Sequence, residues 1–165
     1  MKSANMLIIF GYAIYLSFAL TMLSSCSDPK ELKTNQIRQK FKEITGQDLP
    51  KKADSLRAVY YDVRDLQIFV RFETDSNGTA DVFKKFSRPD AMYTDFDEYH
   101  LKQFIKSGAK MFPAVAHWQE KCGIQIYDEE SFGYGRYIEF AGESPVYEVY
   151  IDDKNSTIYI YARIQ

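Results

Sequence analysis

Three segments near the C-terminus alternate apolar and polar side chains with a period of two: 134–140, 146–151 and 157–164. In the last of them Ile158, Ile160, Ala162 and Ile164 alternate with Thr157, Tyr159, Tyr161 and Arg163. A strand sends successive side chains to opposite faces, so this pattern suits a sheet and does not suit a helix. The separators Gly142-Glu143-Ser144-Pro145 and Asp152-Asp153-Lys154-Asn155 consist of turn formers and are short enough for antiparallel neighbours. A three-strand meander therefore anchors the fold.

The same reading extends upstream. Segments 55–63 and 66–74, rich in β-branched and aromatic residues, form a hairpin about Arg64-Asp65. Thr34 can cap a helix that carries Ile37, Phe41 and Ile44 on one face and stops at Gly46. A short helix over 80–86 presents Val82, Phe83 and Phe86, and Arg88-Pro89-Asp90 breaks it. Another starts near Asp95, with Glu98 completing a capping pair and Leu101, Phe104 and Ile105 as its buried stripe. Segment 111–118, apolar but interrupted by Pro113, covers one edge of the core. The expectation is an α+β domain over residues 34–165. Its antiparallel sheet has about five strands, covered by two or three helices, in the order α-β-β-α-α-β-β-β.

The N-terminus carries a different message. Lys2 is the sole charge in the first 25 residues, and an apolar run extends from Met6 to Leu23. The polar stretch Ser27-Asp28-Pro29-Lys30-Glu31 follows, the layout of a secretory signal. Leu23-Ser24-Ser25-Cys26 resembles the lipobox of bacterial lipoproteins position by position. That resemblance implies cleavage after Ser25, a diacylglyceryl group on Cys26 and an amide-linked acyl chain such as palmitate. Residues 1–25 would then be the signal peptide and 26–33 a tether. The residues alone leave two alternatives open. An apolar run of about 18 residues is the minimum for a membrane span, and an ordinary secretory signal would leave Cys26 a thiol. Ser27 in place of aspartate leans towards the outer membrane. The turn Thr45-Gly46-Gln47-Asp48-Leu49-Pro50 after an amphipathic helix resembles small bacterial envelope lipoproteins, which implies no activity.

Composition narrows the function classes. Without Lys2 the chain holds 20 basic against 23 acidic residues. It lacks the basic footprint that nucleic-acid binding requires. Asp75-Ser76-Asn77-Gly78 begins like a calcium loop. However, Thr79, Ala80 and Phe86 occupy its fifth, sixth and twelfth positions, and the match fails. His100 follows Asp97 at helical spacing, and His117 has no second ligand nearby. With Cys26 lipidated, Cys122 is the remaining thiol, read as inert and partly buried. Phe132-Gly133-Tyr134-Gly135-Arg136 lacks the lysine of a phosphate cradle. Glu129/Glu130 and Asp152/Asp153 read as solvated turn residues. No catalytic residue, metal site or cofactor is expected.

One constellation stands out. If Ile138, Phe140, Val149, Ile151, Ile158 and Ile160 face the core, then Tyr137, Glu139, Glu148, Tyr150, Tyr159, Tyr161 and Arg163 share the opposite face. Tyrosine and arginine are enriched in binding hot spots, which makes Tyr137, Tyr150, Tyr159, Tyr161 and Arg163 candidate partner-binding residues. Ordinary cross-strand tyrosine pairing on a solvated sheet gives the same pattern. The expected function is that of a lipid-anchored envelope protein held to the membrane through its lipid. It would act as a non-enzymatic binding or inhibitor/immunity-type module for another envelope protein. A small envelope hydrolase, with carboxylates not recognisable from spacing, is the alternative.

Overall fold

The computed structural model describes residues 28–62, 65–140 and 144–164. The lipobox with Cys26, the hairpin turn at Arg64 and the Gly142-Glu143 turn lie outside these residues.

Seven strands and four α-helices follow in order: β1 (Lys30–Glu31), α1 (Thr34–Thr45), β2 (Asp54–Asp62), β3 (Leu66–Glu73), α2 (Ser76–Phe86), β4 (Met92–Phe96), α3 (Glu98–Lys106), α4 (Pro113–Cys122), β5 (Gly135–Phe140), β6 (Val146–Asp152) and β7 (Thr157–Ile164). A 3-10 turn spans Glu129–Ser131. The strands form one sheet in the order β1-β2-β3-β7-β6-β5-β4, and each neighbouring pair is antiparallel.

The α+β class, the hairpin and the meander are as the alternation predicts. The strand count of about five and the helix count of two or three are corrected to seven and four, and the element order changes accordingly. The first extra strand, β1, lies in the expected tether, where Lys30 and Glu31 pair with Tyr60 and Val59. The second, β4, takes in Asp95 and Phe96, where the sequence predicts the start of a helix. Asp97, not Asp95, caps α3, its Oδ1 accepting the His100 N–H at 2.7 Å. Asp95 is thereby left to the strand. Likewise α2 begins at Ser76, because Asp75 accepts the Gly78 N–H at 2.9 Å. The cluster Asp75-Ser76-Asn77-Gly78 is thus a capped first turn of a helix.

The turn after α1 is structural. Gly46 sits at φ 68°, where a side chain would be strained. Arg38 donates to the carbonyls of Pro50 at 2.8 Å and Leu49 at 3.3 Å. These bonds hold Leu49 in the core.

Strand alternation creates two cores. Over one face, α1 and α2 bring Ile37, Phe41, Ile44, Val82 and Phe86 onto the alternate aliphatic residues of β3, β5, β6 and β7. Over the other, Val59, Phe69, Tyr150, Tyr159 and Tyr161 meet Leu101 of α3, Val115 and Trp118 of α4, and Phe112, Tyr127 and Phe132 from the connecting chain. The molecule is three layers deep, so the tyrosine side of the sheet is neither a solvated face nor a bare one.

Candidate functional site

The tyrosine face is the natural starting point, and the structure brings its members together. Tyr150, Tyr159 and Tyr161 are fully buried, while Tyr137 and Arg163 are half-buried. Their cover is the chain's own second layer. The Phe132 ring stands 4.9 Å from Tyr150 and 4.8 Å from Tyr159, and Trp118 stands 6.0 Å from Tyr161. Phe112 lies 6.4 Å from both Tyr137 and Tyr159. The phenol groups of this face are used internally, Tyr150 donating to the Gly133 carbonyl, Tyr161 to Gln67 Oε1 and Tyr137 to Glu148 Oε2. The expected docking face of Tyr137, Tyr150, Tyr159, Tyr161 and Arg163 is therefore corrected. So much flat apolar surface is as good a seat for a helix as for a partner, and segment 111–132 takes it.

That segment runs irregularly over a buried face, so its backbone groups need partners. Glu129 supplies one, its Oε1 accepting the Met111 N–H at 2.7 Å while Lys110 reaches Oε2 at 3.2 Å. Gln119 Oε1 accepts the N–H groups of Ile126 and Tyr127, both at 2.9 Å. Asp152 accepts from the N–H of Gly133 at 2.8 Å and of Asn155 at 2.9 Å. Glu129 and Asp152 are buried, which corrects their assignment to solvated turns. The glycine run is equally structural. A Cβ on Gly135 would collide with the Ile151 carbonyl oxygen.

A polar cluster occupies the end of this face towards β5. Glu148 lies directly opposite Glu139 on β5 and Tyr161 on β7. Tyr137 donates to its Oε2 at 3.3 Å. Burial pushes the Glu148 carboxyl up to about 7. The Tyr137 hydrogen bond opposes this rise, Glu139 adds to it and Arg163 opposes it. Burial, followed by the Glu148 charge, drives the Tyr137 phenol far above its ordinary range. The Nε of Arg163 is buried without a hydrogen-bond partner among the described residues. A carboxyl poised near neutrality beside a second one can exchange protons with a bound group. Yet the adjoining cleft, of about 120 Å³, is lined by Phe96, Phe104, Lys110, Met111 and Tyr137 and includes neither glutamate. The shared face of Glu139 and Glu148 is legible from period two. The desolvation of Glu148 depends on the second layer and is not.

Other groups are dispersed. A cavity of about 300 Å³ opens on the outer side of the second layer, among Lys110, Gln119, Glu120, Gln125, Asp128 and Glu130. The Glu129 carboxylate at its wall is already engaged. Asp97 Oδ2 and His100 Nδ1 are 2.9 Å apart, both well exposed. His117 is exposed on α4, and Cys122 is half-buried at that helix's end. Among the described residues no three His, Cys, Asp or Glu side chains are grouped to hold a metal ion. No described helix is long and apolar enough to cross a membrane.

Four large apolar side chains among the described residues stay open to solvent, two of them on the border strand of the sheet. Met92 (61 % exposed), Tyr93 (48 %), Tyr99 (66 %) and Tyr134 (50 %) are the large apolar side chains open to solvent among the described residues. The first two are on β4, Tyr99 is in the first turn of α3, and Tyr134 stands one step past the last β4–β5 pair, Phe96–Gly135. Sequence pattern misses the edge position of Met92 and Tyr93 because β4 itself is not recognised. No family model matches the chain, and neither a curated protein nor a solved structure matches it.

Proposed function

We propose that this protein is a lipid-anchored component of the bacterial cell envelope, tethered through Cys26 at the outer membrane. It works as a binding or inhibitor-type module and meets its protein partner along β4. The observation that carries the binding reading is the exposure of Met92 and Tyr93 on the border strand β4, with Tyr99 in the helix that follows it, while the second layer covers Tyr150, Tyr159 and Tyr161. An edge strand offers unpaired N–H and C=O groups for strand addition, and flanking apolar side chains supply specificity. The lipobox residues Leu23-Ser24-Ser25-Cys26 support the anchor. Two or more acyl chains hold a protein stably, whereas one does so marginally.

The test is a photo-reactive phenylalanine analogue at Tyr93, compared with one at Asn35 on the exposed side of α1, in cells that express the full chain. A discrete adduct from position 93 and none from 35 supports the reading, and no adduct from either contradicts it. Cys26→Ser should release the protein from the membrane fraction or stall it as precursor. Mass spectrometry of an unmodified Cys26 in the mature protein would refute the anchor.

The Glu148 carboxyl, pushed up to about 7 and facing Glu139, favours a second reading, a small hydrolase using this pair. Loss of a hydrolytic activity in both Glu148→Gln and Glu139→Gln, with folding unchanged, would support it over the binding module.

A further inference from the structure

We propose that the occupant of the β4 edge is a second copy of this chain. The two β4 strands pair antiparallel about a two-fold axis at Thr94, so that one sheet runs continuously through both molecules. The proposal rests on the edge reading above and names its partner.

The sheet has two borders. One is β1, two residues long, with Lys30 and Glu31 exposed. Short charged edges are how proteins discourage strand addition. The other is β4, whose residues Met92-Tyr93-Thr94-Asp95-Phe96 contain no lysine or proline and pair with β5 without a bulge. Among the described residues it is the border left open.

Register then selects the partner. A two-fold axis normal to the sheet keeps each face on its own side, so residues of like parity oppose each other. Centred on Thr94, all five residues pair: Met92 with Phe96, Tyr93 with Asp95, and Thr94 with Thr94. Each match is favourable: an apolar pair, a phenol facing a carboxylate, and a threonine pair. Centring on Asp95 sets two carboxylates face to face, and centring on Tyr93 leaves Asp95 and Phe96 outside the strand overlap. The side chains of Thr94 and Asp95 make no hydrogen bond or ion pair of their own among the described residues, and both are exposed. Five paired residues cover far less than the roughly 800 Å² per partner of a stable soluble complex. The pairing is therefore weak in free solution and is populated when lipid anchors hold copies in one plane, where effective concentration is high.

The test is disulfide trapping in membranes. Residues opposed in an antiparallel pair lie about 4.5–5.5 Å apart at Cα, within disulfide range. Residues offset by two positions do not. In a Cys122→Ser background, mild oxidation of Thr94→Cys should convert more than half the protein to a disulfide-linked dimer. Tyr93→Cys, Lys52→Cys and the Cys122→Ser parent should remain monomeric. No dimer from Thr94→Cys, or equal yields from positions 93 and 94, overturns the two-fold pairing. If Thr94→Cys stays monomeric while the photo-probe at Tyr93 yields an adduct with another protein, the edge reading survives and the second-copy proposal falls. If neither gives a product, both fall.

Discussion

The two faces of the sheet are covered in different ways. Over the first, α1 and α2 are regular amphipathic helices on an aliphatic surface, where Ile68, Val70, Ile158 and Ile160 are fully buried. Over the second, α3, α4 and a stretch of irregular chain lie on an aromatic surface centred on Phe69, Tyr150 and Tyr159. A helix satisfies its own backbone, so apolar fit alone seats it. Irregular chain does not, so the second layer depends on polar anchors, with Glu129, Gln119 and Asp152 each holding backbone N–H groups. One face is held by shape. The other is held by shape and a few hydrogen bonds, and those bonds are where it can be released.

The largest expected effect tests whether the second layer is integral. Phe132, wedged between Tyr150 and Tyr159, should cost about 3–5 kcal/mol when changed to alanine. Ile160→Ala on the first face should cost about 2–5 kcal/mol. Both would be read from urea unfolding. If Phe132→Ala costs under about 1 kcal/mol, far below its range, the second layer is an appendage and the comparison breaks.

Glu129→Ala comes next, at about 1–3 kcal/mol, because it strands the buried Met111 N–H. The signature is local. Amide exchange should speed up across 111–132 while β3 and β7 keep their protection. Uniform acceleration everywhere would mean the two layers do not separate.

Glu148→Gln sharpens the electrostatic side. Its folded value, about 7, lies above the ordinary 4.5. The folded state therefore holds a proton that the unfolded state gives up, and stability falls as pH rises from about 5 through 7. At pH 8 the glutamine variant should be the more stable by about 1–2 kcal/mol, after allowance for partial solvent access. At pH 4 the difference should vanish. A parallel pH profile for the two proteins would remove the case for a buried carboxyl. Tyr161→Phe, which loses one hydrogen bond to Gln67 at 2.8 Å, should cost only about 0.5–1.5 kcal/mol.

Legibility follows the same division. Period-two and 3.6-residue patterns locate β2, β3, β5, β6, β7 and the stripe of α1, because each encodes burial in its own local spacing. β4 escapes because its exposed residues at 92–95 show no apolar alternation. It is a strand only because β5 supplies its partners. The cover over Tyr150, Tyr159 and Tyr161 escapes because tyrosine, part apolar and part polar, reads as either face until its hydroxyl partner is known. Gly133 and Gln67 are those partners, 17 and 94 residues away in sequence. Glu129 looks like an ordinary turn residue until its contact with Met111, 18 residues back, is seen.

The tyrosine face is covered by the chain's own second layer. Hydrogen exchange of the mature protein, followed peptide by peptide over 111–132, tests it most directly. The amides of Met111, Ala116, Ile126 and Tyr127, all hydrogen-bonded within this layer, should exchange orders of magnitude more slowly than unfolded chain. Exchange across the segment at the unfolded rate would contradict the account and return Tyr150, Tyr159 and Tyr161 to the surface.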